Sequence, residues 1–273
     1  MKRVAEKKAV LFAEERHYKL VEFIHAHTKA TVHELINQFG VSSATIRNDL
    51  RTLEQRGLIS RTHGGAMIRT RSGYEEALQQ RKVHNRIEKQ LIARLALEKI
   101  NDGDTIVIDT GTTMLELAKL LSEKRDLIII TNDIEIAGLL CNMEQHTLIV
   151  IGGTVRKRFR CTAGSLSQGM LSDMVVDKAF MAANNFDVKR GASTPDIDTA
   201  ETKKAMIRIA AKRFLLCAHE KFGTQSFARF AETKDFDVII TDAVLPDEKQ
   251  AIEQNGVEVI IPSGVQTADR TDG

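Results

Sequence analysis

The chain has 273 residues, a length that fits two domains of ordinary size, with 42% hydrophobic and 28% charged residues as in soluble globular proteins. Tryptophan is absent and aromatic residues make up only 5%, which disfavours the base-stacking surfaces of single-strand nucleic-acid binders. The three cysteines are far apart without a C-x-x-C pair, and no apolar run approaches the roughly 18 residues of a membrane span. These features argue against a disulfide framework, structural zinc and a membrane helix, and they predict a soluble cytoplasmic protein without metal or cofactor.

The net charge of +2 is unevenly distributed along the chain. Residues 1–86 contain 16 Lys and Arg against 9 Asp and Glu, whereas the remaining residues contain 23 against 28. A basic N-terminal part favours a polyanionic partner, because neutralising phosphates releases condensed counterions. Double-stranded DNA fits this partner best.

Three helices are predicted in the basic part. Apolar residues at helical spacing indicate a first helix within residues 10–27. Thr31 is a good N-cap for a second helix, and Gly40 ends it as a left-handed C-cap residue would. Ser42 can cap a third helix, whose inward positions are Ile46, Leu50 and Leu53.

The opposite face of the third helix predicts contacts with base edges in the major groove. Arg can bind guanine through two hydrogen bonds, and Asn can bind adenine in the same way. The alternative is an ordinary solvated helix face. The residues expected to contact DNA from this helix and the turn before it are Ser42, Ser43, Ala44, Thr45, Arg47, Asn48 and Arg51.

A short strand at Leu58–Arg61 followed by His63, Gly64 and Gly65 predicts the hairpin of a wing. Arg61, His63 and Gly64 are candidates for phosphate or minor-groove contacts, and a merely solvated basic hairpin is the alternative. Residues 1–70 are therefore predicted to form a winged helix-turn-helix domain. Residues 71–86 are expected to form a linker or a solvated linker helix.

From residue 87 onward, short β-branched runs alternate with amphipathic helices. This rhythm predicts a Rossmann-like α/β domain over residues 87–262, with a mostly parallel sheet covered on both faces, and a disordered tail at 263–273. The predicted strands are Thr105–Asp109, Leu127–Thr131, Leu148–Ile151, Val175–Met181, Phe214–Ala218, Val238–Thr241 and Val257–Ile261. The predicted helices are Ile87–Ile100, Met114–Leu121, Glu135–Cys141, Thr199–Arg213 and Asp247–Gln254.

The segment after the first of these strands predicts an anion site. Ligands bind beyond the carboxyl ends of strands in such sheets. There, free N–H groups, hydroxyls and a helix N-terminus come together in consecutive residues. Simple helix capping by Thr112 or Thr113 is the alternative. The residues are Asp109, Thr110, Gly111, Thr112 and Thr113.

Polar groups follow later strands as well. Asn132 follows the second strand, Gly152 and Gly153 with Arg156 follow the third, and Lys221 follows the strand that ends at Ala218. Glycines let the backbone approach a ligand, and the two cations could neutralise a phosphate. A small phosphorylated ligand is predicted, and a dinucleotide is disfavoured because no strand is followed by G-x-G-x-x-G.

A further polar cluster contains Asp196, Asp198, Glu201, Lys203 and Lys204. It could bind hydroxyls or supply acid–base chemistry from a carboxylate beside an ammonium group. Carboxylates at a helix N-terminus, followed by a solvated basic turn, are an equally good interpretation.

Residues 41–66, VSSATIRNDLRTLEQRGLISRTHGGA, are similar to the recognition helix and wing of the DeoR family of transcriptional regulators, in which a second Arg is usual where this chain has Asn48. The C-terminal part resembles the family's sensor domain in DGDTIVIDTGTTMLELAKLL, IITND, IGGTVR, DTAETKKAM and EKFG, with departures at Asn185 and at His219 and Glu220. The resemblance implies a fold related to ribose-5-phosphate isomerase and a sugar phosphate as effector. It also implies effector contacts from Thr110 to Thr113, Asn132, Gly153, Arg156, Lys203 and Lys221.

We therefore expect a repressor of a carbohydrate-catabolism operon whose operator binding is modulated by a phosphorylated sugar. One recognition helix covers only a few base pairs, so a homodimer or homotetramer is expected. Two other classes stay open. One is a sugar-phosphate isomerase with an appended DNA-binding domain, in which Glu201 acts as base beside a lysine, and the other is an architectural DNA-binding protein.

Overall fold

The computed structural model describes residues 13–27, 29–55, 58–62, 64–68, 75 and 78–263. The chain divides into two compact units, Met1–Arg71 and Ser72–Gly273, here called the N-terminal unit and the C-terminal unit.

The N-terminal unit combines three helices with a three-stranded antiparallel sheet. Its elements are α1 (Ala13–His27), β1 (Lys29–Thr31), α2 (Val32–Phe39), α3 (Ser43–Gln55), β2 (Ile59–Thr62) and β3 (Gly65–Ile68). The sheet order is β1-β3-β2, so the β2–β3 hairpin is extended by the short strand that precedes α2. Helices followed by a hairpin in this arrangement confirm the predicted winged helix-turn-helix.

Local capping explains where α2 begins and ends. The Thr31 hydroxyl accepts a hydrogen bond from the Glu34 amide, and the Glu34 carboxylate accepts one from the Thr31 amide, which forms a capping box. Gly40 ends the helix at φ 67°, a left-handed conformation in which a side chain would be strained. The predicted cap residues at both ends of α2 are confirmed.

The core of the N-terminal unit lies between the helices and the sheet. Leu20 and Ile24 of α1 and Leu35 of α2 are fully buried and pack with the inward side of α3. The predicted inward positions of α3 are confirmed, since Ile46 and Leu53 are 0% exposed and Leu50 is 1% exposed.

The C-terminal unit is an α/β domain built on a seven-stranded sheet. Its strands in that sheet are β4 (Thr105–Ile108), β5 (Ile128–Thr131), β6 (Thr147–Val150), β9 (Val176–Ala182), β12 (Ala210–Leu216), β14 (Val238–Ile240) and β15 (Glu258–Ile260). Its helices are α4 (Leu78–Val83), α5 (Arg86–Leu97), α6 (Thr112–Leu120), α7 (Ile134–Leu140), α8 (Ser165–Leu171), α9 (Ile197–Arg208) and α10 (Pro246–Glu253). Two small antiparallel sheets contain β7 (Thr154–Arg156) with β8 (Cys161–Ala163), and β10 (Asn185–Asp187) with β11 (Gly191–Thr194) and β13 (Ala228–Ala231).

Every strand pair in the seven-stranded sheet is parallel, and the strand order is β15-β14-β12-β9-β4-β5-β6. The chain starts at β4 and extends the sheet to one side through β5 and β6. It then crosses to β9, on the other side of β4, and continues outward to β15. The order therefore reverses between β4 and β9, and this is where open α/β sheets have a crevice for ligands.

Alternation along the strands produces a hydrophobic core on each face of the sheet. In β9, Ala179 and Met181 join one core with residues of α8 and α9, whereas Phe180 and Ala182 join the other with residues of α5, α6 and α7. Successive side chains of a strand point to opposite faces, so a strand buried on both sides is apolar at consecutive positions. The predicted sheet covered on both faces is confirmed.

Part of one predicted helix is wrong. The helix expected over Thr199–Arg213 ends at Arg208, and strand β12 begins at Ala210. The residues Ala-Ala-Lys-Arg at 210–213 are good helix formers, but Ala210, Lys212 and Arg213 pair instead with Val176, Lys178 and Ala179 of β9. Hydrogen bonding to a neighbouring strand thus outweighs local helix propensity. Helix α8 and the two small sheets were not predicted.

Candidate functional site

Within the N-terminal unit, the outward face of α3 is exposed to solvent. Ser42 and Ser43 are exposed, and the Ser42 hydroxyl accepts a hydrogen bond of 3.1 Å from the Thr45 amide, so it caps the helix as predicted. Thr45 itself is half-buried. The four predicted outward residues are all exposed: Ala44, Arg47, Asn48 and Arg51.

A buried ion pair fixes α3 against α1, and it was not predicted. Asp49, on the inward side of α3, is 4% exposed. It accepts hydrogen bonds from Arg16 at 2.6 Å and interacts with His17 at 2.9 Å, and the hydrogen bond to Asp49 raises the pKa of Arg16. Because these partners are more than 30 residues apart, no local pattern indicates the contact. The pair links the inward side of α3 to α1.

The predicted wing is present as the β2–β3 hairpin. Arg61 and Gly64 are exposed there, whereas His63 lies outside the described residues. The Arg61 amide donates to the Glu54 carboxylate at 3.1 Å, and the Arg61 guanidinium lies 3.9 Å from the same carboxylate. Arg61 is thereby tied to the end of α3 while its side chain stays open to solvent.

The second candidate site is a pocket at the point where the strand order of the parallel sheet reverses. Thr110 and Gly111 follow β4, and the segment Ala182–Asn184 ends and follows β9. The remaining cavity has a volume of about 20 Å³. Its other lining residues are Glu75, Leu78, Arg81, Arg156, Phe159, Cys161, Thr199 and Lys203.

Lys203, which lines this pocket, belongs to a buried ion pair. Asp109 is 0% exposed and Lys203 is 3% exposed, and the Lys203 ammonium donates to the Asp109 carboxylate. Asp109 also accepts from the amides of Thr110 at 2.8 Å and Ala182 at 2.9 Å, while Lys203 donates to the Ala182 carbonyl at 2.9 Å. One carboxylate and one ammonium group thus connect β4, β9 and α9 across the reversal point.

The segment after β4 contributes fewer side chains to the cavity than its sequence predicts. The Thr110 hydroxyl donates to Asp133 at 2.7 Å, and Thr112 and Thr113 are buried within α6 and do not line the cavity. Asp133 caps α7 by accepting from the amides of Glu135 and Ile136. Burial raises the pKa of Asp133, and its hydrogen bonds oppose that shift only in part.

Three other predicted effector residues lie near the cavity without lining it. Asn132 is buried and donates to the Thr162 carbonyl at 2.8 Å, and its Oδ1 atom has no hydrogen-bond partner within the part of the chain that the structure describes. The Ser167 hydroxyl of α8 donates to the Gly152 carbonyl at 2.7 Å. A Cβ atom on Gly153 would lie 2.2 Å from the Ser167 Oγ atom, so this glycine is needed for helix packing.

Arg156 reaches the cavity and meets a residue that sequence analysis placed elsewhere. Its guanidinium donates to Glu75 at 3.1 Å and to Thr199 at 3.1 Å, and it lies 3.7 Å from Asp196. Glu75 also interacts with Arg81 at 3.3 Å. The prediction of a solvated linker helix is wrong for these two residues, because the side chain of Glu75 is 9% exposed and that of Arg81 is 14% exposed.

Lys221 approaches the same region from the far side of β9. It is half-buried and donates to the Ala183 carbonyl at 3.2 Å. Burial lowers the pKa of its ammonium group, and no ion pair involves it among the residues described here. Of the remaining polar cluster, Lys204 pairs with Glu201 on the surface, and Asp196 caps α9 by accepting from the Thr199 amide.

The departures from the expected family pattern have structural partners. The Asn185 side chain contacts Thr224 and accepts from the Ser226 hydroxyl at 2.6 Å. His219 pairs with Glu248 at 2.9 Å, and Glu220 lies 3.2 Å from His84. These contacts connect the segment after β12 with β10, with α10 and with the turn between α4 and α5.

Cys161 lines the cavity but is not suited to nucleophilic chemistry. Burial raises its pKa to about 11, so it stays a neutral thiol at physiological pH. Among the residues that the structure describes, no group of three His, Cys, Asp or Glu residues could hold a metal ion. In the same ranges, no helix combines the length and apolar character needed to cross a bilayer.

The fold and the two sites define the class of protein: a winged helix-turn-helix protein with an α/β domain that has a pocket at its strand ends. Comparison with known families agrees. Residues 84–243 match the DeoR C terminal sensor domain, and residues 16–72 match the DeoR-like helix-turn-helix domain. The chain belongs to the DeoR family of transcriptional regulators.

Individual relatives are similar over nearly their whole length. The chain is 36% identical over 247 residues to the HTH-type transcriptional regulator GlpR of Haloferax volcanii, which covers 90% of this chain and 96% of that protein. It is 30% identical over 257 residues to the putative aga operon transcriptional repressor of Escherichia coli O157:H7, with 93% and 96% covered. The solved structure of ribose 5 phosphate isomerase A from Neisseria gonorrhoeae is 12% identical, covers 50% of this chain and 53% of that chain, and has a TM-score of 0.37, too low to support any argument about activity.

Proposed function

We propose that this regulator represses an operon for carbohydrate catabolism and that a phosphorylated sugar modulates its binding to operator DNA. The observation that carries the proposal is a pocket lined by Arg81, Arg156 and Lys203 at the strand-order reversal of the sensor domain. Cations at that position suit a small anionic ligand, since guanidinium groups bind phosphates through paired hydrogen bonds.

The operator contacts come from α3 and the wing. Arg47 and Arg51 lie one helical turn apart on an exposed face, with Asn48 beside them. In the major groove, Arg and Asn recognise guanine and adenine through paired hydrogen bonds. One such helix contacts only a few base pairs, so we propose a homodimer or homotetramer on twofold-related half-sites.

We propose that the pocket binds the sugar phosphate and does not convert it. A catalytic base must reach the proton it removes. Glu201, the base in the isomerase hypothesis, pairs with Lys204 at 2.7 Å on the surface and does not line the pocket. Lys203 does line it, but its ammonium group is paired with Asp109.

Specific repression is tested by fluorescence anisotropy with the chain's own promoter DNA and with random DNA across a salt series. We expect Arg47→Ala and Arg51→Ala each to cost about 1–3 kcal/mol of specific binding. Lys19→Ala is the matched control, because Lys19 is an exposed cation on α1 and not on the recognition face. Equal affinity for promoter and random DNA at every salt concentration would contradict the proposal.

The effector is tested with a panel of sugar phosphates on the full chain. We expect at least one to raise Tm and to change operator affinity, and both effects to be lost in Arg156→Ala. Coupling must be reciprocal, so operator DNA must change the affinity for that ligand by the same factor. A panel without any response would remove the effector from the proposal, and aldose–ketose conversion by the same preparation would favour the enzyme instead.

A further inference from the structure

We propose that Arg81, Arg156 and Asn184 form the subsite for the anionic group of the ligand, and that the Glu75 carboxylate occupies this subsite until the ligand displaces it. This inference rests on the proposed function, in that it takes the ligand to be a phosphate monoester. It goes further by assigning the position of the phosphate and a competitor within the chain itself.

The Glu75 carboxylate is held as a bound anion would be. Its Oε1 atom lies 3.3 Å from Arg81 Nη1 and accepts from Asn184 Nδ2 at 3.2 Å. Its Oε2 atom accepts from Arg156 Nη2 at 3.1 Å. Two guanidinium groups and an amide therefore converge on one negative group that is almost completely removed from solvent.

A phosphate can form stronger contacts with these donors than the Glu75 carboxylate does. Charge-assisted hydrogen bonds usually measure about 2.7–2.9 Å, and those to Glu75 are longer. A phosphate offers three oxygens and up to two negative charges to the same donors. We expect it to satisfy Arg81 and Arg156 together more completely than one carboxylate does.

Volume requires that some group leave before a sugar phosphate can enter. The cavity of about 20 Å³ has room for roughly one water molecule, whereas sites for small organic ligands measure about 300–1,000 Å³. Arg156 lies on β7 and Lys203 on α9, but Glu75 lies outside regular secondary structure. The backbone of Glu75 can therefore move without breaking a strand or a helix.

Charge balance supports the same assignment. Lys203 is already neutralised by Asp109. Once Glu75 leaves, Arg81 loses the ion-pair partner that the structure gives it. Arg156 then has Asp196, at 3.7 Å, as its ion-pair partner among the described residues. The vacated subsite therefore has a positive charge that an incoming anion can neutralise.

The test is isothermal titration calorimetry of the full chain with inorganic phosphate. Glu75→Gln keeps the size of the side chain but removes the competing charge, and we expect about tenfold tighter phosphate binding. Glu135→Gln is the matched control, because Glu135 pairs with Lys82 of α4 outside the cavity, so this variant also breaks an ion pair of that helix. Its phosphate affinity should equal that of the wild type.

Two further variants make the result specific. Adding Arg156→Gln to Glu75→Gln should abolish the gain, because it removes half of the subsite's charge. Glu75→Asp withdraws the carboxylate by one methylene and should give an intermediate affinity, which keeps the test valid if Glu75→Gln does not fold.

Unchanged or weaker phosphate binding in both Glu75 variants would overturn the inference, as would an equal gain in Glu135→Gln. Absence of phosphate binding in every variant would overturn it too. If sugar phosphates still altered the operator affinity of the wild-type chain and of the two Glu75 variants, the proposed function would stand and only the placement of the phosphate would fail.

Discussion

Lys203→Met should strongly destabilise the C-terminal unit, because it leaves the Asp109 carboxylate buried without its counter-ion. Asp109 is 0% exposed and keeps only the amides of Thr110 and Ala182 as donors. Breaking a buried pair by removing one partner costs about 3–5 kcal/mol, and the two remaining amides place this case near 3 kcal/mol. For a unit of about 200 residues this corresponds to a fall in Tm of about 10 °C.

The assay is urea denaturation of the full chain followed by circular dichroism, with Lys204→Met as control. Lys204 is the next residue along α9, but its pair with Glu201 is on the surface, where 39% of the lysine side chain is exposed. We expect that variant to lose less than about 0.5 kcal/mol. Adding Asp109→Asn to Lys203→Met should recover part of the loss, as expected for coupled sites. A loss below about 1 kcal/mol for Lys203→Met would refute the structural role of the pair.

Three other changes have defined outcomes. Thr31→Ala removes the capping box of α2 and should lower the unfolding free energy by about 1 kcal/mol in thermal denaturation, without changing the ratio of specific to random DNA affinity. Burial raises the pKa of Asp133, so the native state binds more protons between its unfolded and folded pKa values, and stability falls as pH rises through that window. Asp133→Asn, which can still cap α7, should remove this dependence when urea denaturation is repeated across pH. Iodoacetamide at neutral pH should label exposed Cys141 and spare Cys161 and Cys217, whose pKa values burial raises to about 11 and about 12, as peptide mass spectrometry would measure.

Much of the fold could be predicted from local sequence patterns. The turn between α2 and α3 needs a residue that tolerates positive φ, and Gly40 supplies it at φ 67°. The strands of the large sheet are short apolar runs because both of their faces are buried, and each was predicted to within a few residues except the beginning of β12. Residues 210–213 were misassigned because their helix propensity is real and only the neighbouring strand overrides it.

The pocket proposed to bind the ligand was predicted less completely, since its polar groups come from distant parts of the chain. Thr110, Gly111 and Arg156 were identified because they follow strands. Glu75 and Asn184 are 109 residues apart yet share a hydrogen bond, and nothing near either residue indicates the other. Residues 75–82 have the charged composition of a solvated helix, and composition alone does not show which groups they contact in the fold.

The sequence by itself therefore determined the two-part organisation, the family and the exposed face of α3, because each depends on periodicity, capping and contiguous motifs. Only the tertiary structure decided which ionisable groups meet. Asp49 with Arg16, Asp109 with Lys203, and Glu75 with Arg156 are all joined across long separations. The physical reason is that the energy of a charge depends on its burial and on its neighbours, and both are properties of the folded chain.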